Sequence, residues 1–220
     1  MADDDDIEFE ITPAEKGLDV AALVAGFTPV VGSAISGVLS GMSQQRKLNR
    51  VAGILHELEQ NLSGFKSEVM EDYVKTEDFE ELLEQALRRG ADERSAEMRA
   101  LYRNFLTQAI KYPGDKYDEQ LAILRVLEQL NSSHMQILSA LEQPPSPGAQ
   151  RKMMGSPRQT LQERTSLSDE ELKNAVGRLN DLRITNLGSL MVMMTGAGAE
   201  DLRHNITPFG HNVLKYFRNQ

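Results

Sequence analysis

The chain has 220 residues, 40% of them hydrophobic and 26% charged, with no cysteine and a formal charge of −9. That length and apolar content can bury a core, the missing thiols exclude disulfide staples and thiolate metal sites, and the acidic balance excludes a protein that merely coats nucleic acid, which needs a cationic surface. The charge is unevenly divided: Met1–Pro144 carries 14 basic against 26 acidic side chains and Pro145–Gln220 carries 10 against 7, so two modules with different partners are expected.

The opening MADDDDIEFE is the reverse of the basic start of a secretory leader, so a cytoplasmic location is expected, with residues 1–16 as a solvated acidic tail. Residues 17–115 read as a helical bundle. No charge falls between Asp19 and Arg46, a run long enough to cross a bilayer. Its pattern is two-sided, however. Val30, Val31, Ala34, Ile35, Val38, Leu39 and Met42 recur at the spacing of one helix face, and Gly32, Ser33, Ser36, Gly37, Ser40 and Gly41 make a small, weakly polar opposite face. Small residues four apart let helix backbones approach closely, so these six are candidates for a helix–helix contact or for membrane engagement through residues 20–42. Pro29 marks a first helical turn with Thr28 as its cap, so the stretch reads as helix, turn, helix. The Gly-rich apolar segment VAALVAGFTPVVGSAISGVLSG ahead of the amphipathic RKLNRVAGILHELEQNL resembles the start of helical-bundle cell-death domains of the HeLo kind, over about the first 65 residues. The resemblance implies self-association or membrane action and assigns no site residue.

Leu48, Val51, Leu55, Leu58, Leu62 and Phe65 then alternate three and four apart, a seam along a helix. KTEDFEELLEQALRRG predicts a helix capped by Thr76, acidic in its first turn, closed by Gly90, with Phe79, Leu82, Leu83, Ala86 and Leu87 inward. ADERSAEMRALYRNFLTQAIKYPG predicts another, burying Met98, Leu101, Phe105, Leu106, Ala109 and Ile110. Its Arg94, Arg99 and Arg103 lie amid Asp92, Glu93 and Glu97, which fits either a salt-bridged face or an anion site. Successive amphipathic helices of this kind make an antiparallel bundle.

Residues 116–220 read as a second module. A helix over YDEQLAILRVLEQLNSSHMQILSALEQ is expected to run into a mobile Pro/Gly/Ser-rich loop at 143–157. SPRQTLQERTSL suggests a short helix, and Ser168 and Glu171 in capping-box spacing open the next, with Leu172, Ala175, Val176, Leu179 and Leu182 inward. The run ITNLGSLMVMMTGAGAEDLRHNITPFG predicts a β-hairpin over 183–207, with Met191, Met193 and Met194 packing along it. Thr207 and Pro208 open a last helix. Helix, short helix, helix, hairpin, helix, closed by ITPFGHNVLKYF, resembles the winged helix-turn-helix family over residues 117–218. That likeness implies that the helix Asp169–Leu182 would enter a DNA groove, with Lys173, Asn174, Arg178, Asn180 and Arg183 facing out as nucleic-acid contacts. The acids Asp169, Glu170 and Glu171 stand where bases would be met, and they repel phosphate.

No catalytic, cofactor-binding or metal-ligating set emerges. HELEQ at His56 has Gln60 where a zincin needs its second histidine. His204 and His211 have no third ligand nearby, and TGAGAED lacks the GxGxxG pattern and its context. The expected fold is therefore mainly α, an antiparallel helical bundle followed by a winged-helix-like module with a small β-hairpin. The expected function is that of a non-enzymatic, bacterial-type interaction or effector protein without cofactor. Its partner is itself, as a homo-oligomer, or another protein, with membrane as an option. The alternatives are a DNA-binding regulator whose bundle dimerises or senses, and an accessory subunit whose chemistry lies in a partner chain.

Overall fold

The computed structural model describes residues 29–62, 72–146 and 154–218, with the backbone alone at 29–34. Ten α-helices and one 3-10 turn occur among these residues, and the chain divides into two compact units, Met1–Asp92 and Glu93–Gln220. The expected acidic tail 1–16, residues 20–28 of the apolar stretch and residues 147–153 of the expected loop lie outside the described residues.

The first unit holds α1 (Pro29–Ser40), α2 (Gln45–Leu62) and α3 (Glu77–Asp92), and both α1 and α2 pack on α3. Ile35 and Val38 of α1, and Val51, Leu55 and Leu58 of α2, are buried, as the spacing predicts; Ile54, outside the predicted seam, is buried too. Leu48 is half-buried, Leu62 is described by its backbone alone, and Phe65 lies outside the described residues. The whole predicted stripe of α3 is buried as well. Thr76 Oγ1 accepts from Phe79 N at 3.3 Å, and Glu77, Asp78 and Glu80 occupy the first turn, where the helix dipole favours anions. Gly90 does not end the helix as expected. It is buried within α3, which runs on to Asp92, because Arg50 donates to Ala91 O at 3.0 Å and Lys47 pairs with Asp92 at 2.5 Å, so the last turn has partners from α2.

The second unit begins with α4 (Ala96–Lys111), capped by Ser95, and continues through α5 (Tyr117–Leu127) and α6 (Ser132–Glu142). The single helix expected over 117–143 is thus two. Asn131 breaks it: its side chain accepts from His134 N at 3.1 Å while His134 Nδ1 accepts from Asn131 N at 2.9 Å, a closed capping box in which histidine stands where Glu or Gln is usual. Then follow α7 (Pro157–Arg164), α8 (Asp169–Asp181), α9 (Gly196–Glu200), the 3-10 turn Arg203–Asn205 and α10 (Pro208–Phe217). The caps predicted at Ser168 and Thr207 are both formed. Helices α6, α7 and α8 pack on one another, and α10 packs on α4. Along that second seam the Phe105 and Tyr216 rings lie 5.6 Å apart, and Asn104 donates to Phe217 O at 2.7 Å, so a buried amide serves the open carbonyl end of α10.

The expected β-hairpin is absent. No strand occurs among the described residues, only two isolated antiparallel bridges, Gly155 with Met194 and Thr185 with Ile206. At the base of the segment Thr207 N and Asn186 N do pair across it, with Ile184 O and Asn205 O, but a ladder needs successive backbone groups free to continue, and beyond Asn186 other partners claim them. The Asn180 side chain donates to Leu187 O (2.8 Å) and accepts from Leu187 N (3.1 Å) and Thr185 Oγ1 (2.7 Å). Met194 commits its backbone N–H and C=O to Gly155, from a segment outside the predicted hairpin, both at 2.9 Å. Thr195 then caps Gly198 N and turns the chain into α9, which buries Ala199. Among the described residues the fold is all-α, where a helical module with a wing was expected.

Candidate interaction surface

Helix α8 ends in a Schellman motif. Ile184 N donates to Leu179 O at 3.0 Å and Arg183 N to Asn180 O at 2.9 Å, which places Arg183 at the left-handed position with φ 58. The apolar partners that accompany such a cap, Leu179 and Ile184, are both fully buried. The reversal sends residues 185–195 back past α8. Ser189 O accepts from Val192 N at 3.3 Å, which tightens the turn at the loop's tip, and Arg158 N of α7 donates to Leu190 O at 3.1 Å, which ties the tip to α7.

The Gly155–Met194 bridge fixes which side chains point where. In a hydrogen-bonded antiparallel pair the flanking residues stand on the face opposite the paired ones, so Met154 and Met193 share one face. Both are 58% exposed, and Met191 (63%) and Val192 (48%) continue the apolar surface at the tip. Met194 is turned the other way and sits close against Gly198. The methionines expected to pack along a hairpin therefore divide, with Met191 and Met193 in solvent. The guanidinium of Arg158 touches Met191 Sδ at 3.6 Å and pairs with Asp169 at 2.5 Å, bringing the tip beside the first turn of α8. That turn is acidic. Ser168 donates to Glu171 through its hydroxyl (2.6 Å) and its backbone N–H (2.9 Å), and these bonds hold the Glu171 carboxyl below the usual carboxylate range.

Among the residues expected to face outward from α8, Lys173, Asn174 and Arg178 do so, together with Gly177, and Arg183 is exposed beyond its end. Arg178 is held by Gln129 Oε1 at 2.5 Å. Asn180 is not an outward contact: its amide is the hub of the 185–187 turn. Burial of the ring, reinforced by the Arg178 guanidinium, holds His134 below the ordinary imidazole value, and its Nδ1 can accept the Asn131 N–H only when unprotonated.

Behind the loop, Arg164 is nearly buried and donates to the carbonyls of Ala140 (2.9 Å), Gln143 (3.3 Å), Pro144 (3.3 Å) and Glu200 (3.1 Å). The buried Glu200 carboxylate lies 3.9 Å from it and accepts from Ser146 N at 2.7 Å. This clamp ties α6, α7 and α9 together. Nothing in the helical periodicity marks Arg164, Glu200 or Arg158. The doublet Met153-Met154 and the run Met191–Met194 were the available signal for the exposed patch.

In the first unit Ser36, Gly37, Ser40 and Gly41 are exposed, and a Cβ on Gly37 would meet nothing within 4 Å, so this face makes no close helix contact among the described residues. Gly32 and Ser33 lie where the backbone alone is described. An open depression of about 250 Å³ is lined by Val38, Gly41, Met42, Ser43, Gln44, Lys47, Arg88 and Asp92, with Lys47 paired to Asp92 (2.5 Å) and Arg88 to Glu84 (2.6 Å). Of the three arginines offered as an anion site or salt-bridged face, Arg99 donates to Glu93 O (3.3 Å) and Arg94 O (2.6 Å), and Arg103 to Asn104 Oδ1 (2.9 Å). His56 meets Gln60 at 2.9 Å. No three His, Cys, Asp or Glu side chains converge on a metal position among the described residues, and no helix there is long and apolar enough to cross a membrane. No protein-family model matches the chain, and no curated protein or solved structure matches it.

Proposed function

We propose that this chain is a non-enzymatic, cytoplasmic interaction protein whose C-terminal helical unit binds another protein through the Met154, Met191–Met193 tip and the adjoining end of α8. The observation that carries the reading is the exposure of Met191, Val192 and Met193 on a loop whose backbone is pinned by Arg158 at Leu190 and by Gly155 at Met194, with the exposed Met154 next to that second attachment. Contiguous exposed apolar surface of this kind marks contact sites, and methionine suits contacts that must adapt to a partner. The pinning matters because a preorganised loop loses little entropy on binding. DNA is the less favoured ligand: Asp169, Glu170 and Glu171 flank Lys173 and Arg178 on α8, and a groove-reading helix needs net positive charge against phosphate. In the N-terminal unit the exposed face of Ser36, Gly37, Ser40 and Gly41 is the proposed surface for self-association.

Selection from a displayed peptide library against the full chain, counter-screened with a Met191→Ser/Met193→Ser double variant, tests the reading. Ligands that need both methionines are expected. Saturable binding of duplex DNA at physiological salt, lost in Lys173→Ala and Arg178→Ala, would overturn it in favour of a DNA-binding regulator.

A further inference from the structure

We infer that the partner of the methionine tip is a basic amphipathic α-helix of another protein, an assignment that rests on the interaction reading above. Two features of the tip select this chemistry. The first is form. Met154 and Met193 stand diagonally on one face of the Gly155–Met194 bridge, and Met191 and Val192 carry the exposed apolar surface on to the end of the turn, so it is elongated rather than round. A ridge of flexible thioethers fits the i, i+3, i+4 stripe of a helix, which presents apolar groups at that scale in a row.

The second feature is charge. The cation that touches the ridge, Arg158, is already matched by Asp169 at 2.5 Å. Beyond it stand the exposed carboxylates of Glu170 and Glu171 at the start of α8. Glu163, also exposed, lies with Met154 around a small depression on the other flank. An apolar ridge rimmed by carboxylates attracts a stripe flanked by lysine or arginine and repels one flanked by acids. An anionic lipid surface is the rival suggested by Arg151 and Lys152, just ahead of Met154 in the sequence, and the experiment includes it.

The test uses the full chain with isotope-labelled methionine methyl groups, assigned by single substitutions, and follows their NMR signals. The probe is a synthetic helix with leucine on one face and lysine on the other. Saturable shifts of Met154, Met191 and Met193 are expected while the buried Met98 stays still. Affinity should fall roughly tenfold in the Met191→Ser/Met193→Ser variant, as loss of central apolar anchors does, and about threefold in Glu163→Gln/Glu170→Gln, as loss of rim charge does. An equal response to the same helix with glutamate in place of lysine would overturn the charge assignment while leaving the interaction reading intact. Shifts produced by vesicles of phosphatidylcholine with one quarter phosphatidylglycerol, or by raising the protein concentration alone, would replace the inference with a lipid surface or a second copy. Silence of all three methyls toward both helices would sink the inference, and the interaction reading falls with it only if the displayed-peptide selection also yields no ligand that needs Met191 and Met193.

Discussion

Replacing Gly210 by alanine tests the packing that sets α10 against the end of α8. A Cβ built there would stand 2.1 Å from Ile184 O, 2.9 Å from Ile206 Cγ2 and 3.0 Å from Ile184 C. Carbon–oxygen contacts normally begin near 3.3 Å, so roughly 1.2 Å must be found between two backbones. No rotamer change can supply it, because the obstacle is a carbonyl. Opening the gap pulls on the same Ile184 O that accepts from Thr207 N at 3.0 Å and Thr207 Oγ1 at 3.1 Å, and on the Thr207 cap of Gly210 N at 2.9 Å. Overpacking of this kind costs about 1 to 3 kcal/mol, and a weakened cap adds about 1 kcal/mol. The better helix propensity of alanine returns about 1 kcal/mol. A net loss of about 2 kcal/mol at some 3 to 5 °C per kcal/mol corresponds to a drop in Tm of about 6 to 10 °C. Differential scanning calorimetry resolves this against Gly177→Ala, an exposed position in α8 where a Cβ meets nothing within 4 Å; that variant should gain about 0.5 to 1 kcal/mol. Equal Tm values for the two variants would refute the close backbone approach.

Three further predictions follow from the second unit. Arg183→Gly should raise stability by up to about 1 kcal/mol in a chemical denaturation curve, because glycine fills the left-handed cap position at lower steric cost. His134, held below the imidazole value of 6.5 by burial and Arg178, contributes stability that is present above that value and lost as pH falls through it toward the folded value. His134→Gln, which keeps an acceptor for the capping box without titrating, should flatten the melting temperature between neutral pH and pH near 5. Asp115 behaves likewise at lower pH. Burial disfavours its charge, but hydrogen bonds from Lys215 (2.9 Å) and Tyr216 (2.7 Å), with the Lys215 charge, outweigh burial and hold it below 3.8, so its contribution is lost as pH falls below that value. Asp115→Asn should remove that acid-side loss in pH-dependent melts.

The sequence by itself determined the helices and most of their caps, because those are set by neighbours within one or two turns. The stripe Phe79, Leu82, Leu83, Ala86, Leu87 reads as one buried face wherever it packs, and Ser168 with Glu171 closes its box inside α8 alone. Even the missed break at Asn131 is local chemistry, hidden because histidine filled the N3 position usually held by Glu or Gln. Residues 183–207 were decided otherwise. Their apolar and glycine pattern fits a hairpin, and its base does pair, Thr207 N with Ile184 O and Asn186 N with Asn205 O, but the pairing goes no further because the Asn180 amide takes Leu187 and Gly155 takes Met194. The candidate surface depends on the same tertiary contacts. Whether Met193 packs inward or faces water is set by the pairing of Gly155 with Met194 across 39 positions of sequence, and periodicity within a single segment carries no record of a partner that far away.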